Sequence, residues 1–239
     1  IHLDFASATF PDDEAIRTSV SFIDEKTDRS VRMGHLAFVG SHAVNGVSAM
    51  HTELMRETVF HDLHRLYPDR ISNKTNGITF RRWLMQSNPA LTDLVREACG
   101  DGVLDDPGQL QRLEAHAEDR EFHRHLAAAK RRNKTALAKI VTERLGIVLD
   151  PDALFDVQIK RIHEYKRQLL NIVETIALYQ AMRDAPGANW TPRVKIFAGK
   201  AAASYHYAKL IIKLINDVAQ VVNNDPATGK LLKVAFLPD

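Results

Sequence analysis

Between positions 160 and 167 stand Lys160, Arg161, His163, Lys166 and Arg167, diluted only by Glu164. So dense a group of cations calls for an anion, with Arg offering a planar two-pronged donor and Lys a point charge. Phe155, Val157 and Ile159 alternate with Asp156, Gln158 and Lys160 in the period of a half-buried strand. Leu169, Ile172, Val173, Ile176 and Tyr179 then follow helical spacing. The cations therefore occupy the exit of a strand and the entrance of a helix, the place where an open α/β sheet binds ligands. Free amides at a helix start attract anions, and phosphate is the expected guest. A solvated basic surface or a weak nucleic-acid patch has the same composition. Against those readings, cations at a helix start oppose its dipole, and Lys160 and Arg161 end a strand whose other residues look buried.

The elements that must position these residues follow from pattern. From Ile1 to about Ser30 the chain is polar and poorly periodic, with Pro11-Asp-Asp as a helix start. Leu36–Val39 predicts a buried strand ended by Gly40, and Val47, Met50, Leu54 and Met55 a helix running toward Leu66. His42 would then lie in a loop between strand and helix, where a histidine is ordinarily a structural hydrogen-bonding group. Asn76-Gly77 predicts a tight turn with positive φ, and Trp83 is compatible with core. Asn88 caps a helix opened by Pro89 and stopped by Gly100; Pro107 starts a second, and a third ends at Gly146. After the central strand come a helix from about Glu164 to Met182, a strand at Val194–Phe197, a helix through Leu210 and Val222, and a strand at Leu232–Leu237. This is a right-handed βαβαβ unit, half of a doubly wound parallel sheet in an α/β fold. Gly199-Lys200 lacks the glycine spacing of a P-loop.

Bulk properties narrow the field. With 32 basic and 30 acidic residues the net charge is +2, which argues against a polyelectrolyte role on nucleic acid. His61, His64, His116, His123 and His125 match no ligand spacing, so no metal is expected. One cysteine, Cys99, excludes an internal disulfide, and the apolar runs are too short for a membrane span or a signal peptide, making cytoplasm the expected compartment. The chain opens at Ile1 and stops at Asp239 just after a strand-like run, which reads as an internal piece of a longer protein.

Val157-Gln-Ile-Lys-Arg-Ile-His-Glu-Tyr-Lys-Arg-Gln-Leu-Leu170 resembles the signature of the α-glucan phosphorylases, which act on glycogen, starch or maltodextrin. The likeness extends through Gly40-Ser-His-Ala-Val-Asn-Gly46, Asn73-Lys-Thr-Asn-Gly-Ile78, Arg81-Arg-Trp83, Gly199-Lys-Ala201 and Val221-Val-Asn-Asn-Asp-Pro226. It implies a two-domain GT-B-type glycosyltransferase fold, with 1–76 ending the N-terminal, glucan-side domain and 77–239 starting the C-terminal, cofactor-side domain. Such an enzyme uses inorganic phosphate to release glucose 1-phosphate from an α-1,4-glucan, with the phosphate of pyridoxal 5'-phosphate (PLP) exchanging a proton. By the motif match, Arg161 and Lys166 hold the substrate phosphate and Lys160 neutralises the cofactor phosphate. Trp83 lies beside the cofactor, while His42, Asn76 and Tyr165 meet the glucosyl residue. Two phosphates about 5 Å apart repel by ~3 kcal/mol per pair of unit charges at an effective dielectric near 20, so several cations are required.

A homodimeric parent is expected, and the small net charge and short apolar runs leave neither nucleic acid nor membrane as an expected partner. Phe80 replaces the proline that the family usually carries after the Ile-Thr pair. The family's Gly-x-Gly-Asn-Met-Lys type segment, which carries the cofactor lysine, does not occur in these residues, so the 239-residue chain alone is expected to be inactive. Two other readings of the cations stand beside this one: a two-Rossmann-domain glycosyltransferase using a nucleotide sugar, and, with less support, a nucleic-acid module. The last lacks aromatic residues interleaved with the basic cluster.

Overall fold

The computed structural model describes residues 1–24 and 28–238. Positions 25–27, inside the stretch read as poorly periodic, lie outside the described residues. The chain forms two compact units, Ile1–Thr79 and Phe80–Asp239.

In the first unit, α1 (His2–Thr9) and α2 (Glu14–Val20) precede a short antiparallel pair, β1 (Ile23–Asp24) and β2 (Ser30–Val31). Asp13 caps α2 by accepting from the Ile16 amide, as Pro11-Asp-Asp predicts. Next come α3 (Met33–Gly40), β3 (Val44–Gly46), α4 (Ala49–Leu54), a π-helical turn over Met55–Val59, α5 (His61–Leu66) and β4 (Ile71–Asn73). β3 and β4 pair in parallel. The expected strand at Leu36–Val39 is therefore a helix. Of its four residues only Phe38 is buried, with Val39 half-buried, so a helical stripe rather than a two-sided strand satisfies the run. Phe38 packs with Ala6, Ile16, Val20, Leu63, Leu66 and Ile71 to form this unit's core. His42 in consequence joins helix α3 to strand β3. The turn expected at Asn76-Gly77 is also absent: neither residue has positive φ, and the Asn76 amide instead donates to the Val47 carbonyl at 2.9 Å, prolonging the β3–β4 pairing.

In the second unit, Arg82–Gln86 forms a π-helical turn that leaves Trp83 70% exposed, so Trp83 is not core. α6 (Pro89–Cys99) starts at Asn88, whose carboxamide accepts from the Leu91 amide, and stops at Gly100 with φ of 83°. The segment Pro107–His116 is 3₁₀ rather than α-helical. α7 (Arg120–Leu145) ends at Gly146 in the left-handed conformation.

A parallel sheet follows, built from β5 (Leu154–Ile159), β6 (Arg193–Ala198) and β7 (Leu232–Leu237) in the order β5-β6-β7. The crossovers are α8 (Gln168–Asp184) and α9 (His206–Asn224). Alternation along β6 explains the layers: Val194 and Ile196 join Ala138 and Val141 of α7 in one core, while Phe197 joins Ile172 of α8 and Ile211 and Ile215 of α9 in the other. Complete burial of a side chain such as Phe197 is worth roughly 2–3 kcal/mol. Strand-type bonding continues past β5, with the Lys160 amide donating to Ala198 and the Ile162 amide to Lys200. The helix expected from Glu164 begins four residues later, at Gln168, because Arg167 has φ of 61° and a 3₁₀ turn occupies Glu164–Lys166. Among the described residues no helix is long and apolar enough to cross a membrane.

The return from α9 to β7 is held by Asp225. Its carboxylate accepts from the Tyr179 hydroxyl at 2.7 Å and the Ala227 amide at 2.8 Å, with Arg183 at 3.5 Å. The Tyr179 bond foremost, then that amide and the Arg183 charge, hold the carboxyl below its ordinary pKa of 3.8. A depressed carboxyl contributes stability above its unfolded pKa and loses it as pH falls through the folded one. Asp225→Ala should therefore lower Tm at pH 7, and the gap to the wild type should narrow as pH falls below about 4, measured by thermal unfolding across pH.

Candidate functional site

A cleft of about 810 Å³ opens at the carboxyl ends of the three parallel strands, lined by Lys160, Arg161, His163, Lys200, Tyr205 and Pro238 among others. Another cavity of about 940 Å³ lies at the opposite, amino-terminal end of the same strands, away from Lys160 and Arg161. Chemistry favours the first: parallel sheets bind ligands beyond the carboxyl ends of their strands.

Backbone geometry presents the cations there. Ile162 is buried in the core beneath α8 and α9, while its neighbours Arg161 and His163 are exposed. One anchored residue thus turns the flanking side chains outward. Beside it Gly199 has φ of 145°, and a Cβ at this position would lie 2.0 Å from the Lys160 carbonyl oxygen. Only glycine admits that approach. Gln168, fully buried at the start of α8, completes the clasp. Its Nε2 donates to the carbonyls of Arg161 at 3.1 Å and Lys160 at 3.4 Å, and its Oε1 accepts from the His163 amide at 3.3 Å.

Electrostatically the cluster is one-sided. Among the described residues no carboxylate pairs with Lys160, Arg161, Lys166 or Arg167; Lys166 lies 5.6 Å from the Tyr165 ring centroid. The one acid in the motif, Glu164, is turned aside and accepts from the Tyr205 hydroxyl. That bond, with burial, raises the Tyr205 pKa above its ordinary value.

The structure brings Lys160 and Arg161 together on the cleft wall, and sets Tyr165 and Lys166 on the adjoining 3₁₀ turn, where Tyr165 is 71% exposed and in ring contact with His163. Trp83 belongs to the same unit but does not line the cleft. His42 and Asn76 belong to the first unit, both exposed, the one before β3 and the other after β4. A close glycine contact also shapes that unit: a Cβ on Gly46 would lie 2.0 Å from the Thr52 hydroxyl oxygen, which donates to Asn73.

Pattern reading missed Gln168 and Lys195, and named Gly199 and Gln158 without their supporting roles. Gln168 shares the helical face of Ile172 and Thr175, so a polar side chain there had to be buried and bonded. Lys195 alternates with Val194 and Ile196 in a central strand, the signal of a cation inside the protein; it is 2% exposed and bonds Asp156, Asn171 and Glu174.

The second unit is a parallel α/β arrangement in which Lys160, Arg161, Lys166 and Arg167 gather at the end of β5 with no carboxylate partner among the described residues. Residues 1–239 match the sequence profile of the family described as carbohydrate phosphorylase, and the chain belongs to that family. Over 99% of its length it is 49% identical to a glycogen phosphorylase of Synechocystis sp. and 46% identical to the liver form of human glycogen phosphorylase. The brain form from Mus musculus is 43% identical. The chain spans about 28% of the length of these relatives.

The glycine contact generates a test. Gly199→Ala must displace the Lys160 carbonyl and hold alanine at φ of 145°, so it should destabilise the protein by at least about 1–3 kcal/mol. Gly187→Ala, with open space around its Cβ, should stay within about 0.5 kcal/mol of wild type. Equal denaturation midpoints for the two variants would contradict this account of the strand exit.

Proposed function

We propose that this chain is part of an α-1,4-glucan phosphorylase, in which the cleft beyond β5 and β6 holds phosphate while the first unit contributes to the glucan side. The observation that carries this reading is the set Lys160, Arg161, Lys166 and Arg167, fastened to the end of a parallel sheet through backbone contacts and without carboxylate partners among the described residues. Cations held in this way have their charge available for a ligand. Family membership along the whole chain, and relatives named glycogen phosphorylase, support the choice of reaction.

In this reading Arg161 and Lys166 hold the attacking phosphate, and Tyr165, His42 and Asn76 are the glucosyl contacts that the family resemblance implies. Lys160, exposed on the cleft wall and without a side-chain partner among the described residues, fits a phosphate monoester and would hold that of PLP, with Trp83 beside the cofactor. When bound, PLP supplies a phosphate that exchanges a proton with the substrate phosphate. Lys160, Arg161 and Lys166 offset the charge that accumulates as the two anions approach. The units Ile1–Thr79 and Phe80–Asp239 then correspond to the end of the glucan-side domain and the start of a doubly wound, GT-B-type cofactor domain.

Arg161 is the decisive position. In the full-length enzyme Arg161→Ala removes a charge-assisted donor from the phosphate, and the rate with inorganic phosphate should fall about a hundredfold or more. Arg161→Lys keeps the charge but loses the fork, and should recover only part of the activity. Wild-type turnover in Arg161→Ala would remove this residue from the mechanism. By the same reading, the 239-residue chain on its own should release no glucose 1-phosphate from glycogen, and detectable release would contradict the assignment of cofactor lysine and missing cleft to other segments.

A further inference from the structure

Lys195 stands at the root of a hydrogen-bond chain that ends at the phosphate turn. Its ammonium donates to Asp156 Oδ2 at 2.5 Å, to Glu174 Oε2 at 2.6 Å and to Asn171 Oδ1 at 3.0 Å. Asn171 Nδ2 donates to Gln158 Oε1 at 3.0 Å, and Gln158 Nε2 donates to the Lys166 carbonyl at 2.9 Å. Every link points the same way. An ammonium can only donate, so Asn171 must turn its oxygen toward Lys195 and its nitrogen toward Gln158. Gln158 must then accept with its oxygen, leaving its nitrogen to donate to Lys166. The cation at one end, which can only donate, and the Lys166 carbonyl at the other, which can only accept, require the same orientation of the two carboxamides between them.

The end point of the chain matters because of the backbone beyond it. The peptide whose carbonyl Gln158 holds leads into Arg167, which adopts φ of 61° and ψ of 34°, a left-handed conformation unfavourable for a residue with a Cβ. Such a conformation persists only where its surroundings determine it. Here the Arg167 amide donates to the Glu164 carbonyl at 3.0 Å while Gln158 pins the adjoining Lys166 carbonyl. We propose that Lys195, Asn171 and Gln158 are positioning residues for phosphate binding, a directed relay from β6 through α8 and β5 that sets the 3₁₀ turn and so aims Lys166 at its anion. The proposal rests on the reading of Lys166 as a phosphate ligand. It extends the machinery to residues that touch no substrate.

Steady-state kinetics of the full-length enzyme test it, with inorganic phosphate varied at saturating glucan and glucan varied at saturating phosphate. Lys195→Met, one atom shorter than lysine, and Gln158→Met, equal in length to glutamine, remove the donors, and each should raise the phosphate KM about tenfold, with a smaller rise in the glucan KM through Tyr165 on the same turn. A purely structural role would lower the amount of folded enzyme without moving the phosphate KM. Gln158 is half-buried on an edge strand, so Gln158→Met carries the test if Lys195→Met does not fold. Lys166→Ala separates the two levels of the argument. Should it raise the phosphate KM, with Gln158→Met adding nothing further in that background, the relay acts through Lys166 as proposed. A raised KM in Lys166→Ala alongside wild-type values in Gln158→Met, or full additivity of the two, overturns the relay and leaves the phosphate reading standing. An unchanged phosphate KM in Lys166→Ala removes that reading and the relay together.

Discussion

The close passage of the Lys160 carbonyl over Gly199 is the constraint on which the site depends. Where β5 and β6 part, the Lys160 carbonyl passes through the space that a Cβ on residue 199 would fill, so only glycine admits the crossing. The Lys160 and Ile162 amides keep bonding β6 and its extension up to Lys200, so the cations issue from a paired, rigid backbone rather than from a free loop. Ile162 then decides direction, since its burial beneath α8 and α9 turns Arg161 and His163 outward. A site built from strand ends holds its groups more closely than one carried on a mobile connection.

Charge is deployed in two contrasting ways within a few residues. Lys195 is buried and shared by Asp156 and Glu174, as removal from water demands. Lys160, Arg161, Lys166 and Arg167 instead have no carboxylate among the described residues, and Glu164 is occupied by Tyr205. Pairing therefore separates the structural cation from those available to a ligand. The distinction does not follow from residue type, for Lys160, Lys166 and Lys195 are all lysines; only the apolar neighbours Val194 and Ile196 mark the last as internal.

Much of the sheet was legible because its elements are long and strongly patterned. β5, β6, β7 and α9 follow from alternation and helical spacing, and the ends of α6 and α7 from Asn88-Pro89, Gly100 and Gly146. Four apolar residues at 36–39 carry no period that separates strand from helix, and tertiary packing of Phe38 decided the matter. The late start of α8 was hidden because Arg167 adopts a left-handed backbone that its residue type does not announce. Within the site, the cations themselves were visible as charge on a strand exit. Their supports were not, since Gln168 and Gln158 act on backbone atoms far from them in function but ordinary in composition.

Why carboxamides should fasten this loop follows from what must be held. The clasp has to satisfy two carbonyls, of Lys160 and Arg161, and one amide, of His163, with a single buried side chain. A carboxylate at position 168 accepts but cannot donate, so it would leave the carbonyls without partners. It would also set a negative charge beside Lys160 and Arg161 and so offset part of their field. A lysine would donate to the carbonyls yet leave the His163 amide unpaired and add a buried charge without its own counter-ion. The neutral amide alone does both kinds of bonding and leaves the field of the four cations undiminished. The same reasoning applies at position 158, where Gln158 must accept from Asn171 and donate to Lys166 at once. Glutamine at both points thus meets a requirement on charge as much as on geometry: it donates and accepts at once without adding a charge beneath Lys160, Arg161, Lys166 and Arg167.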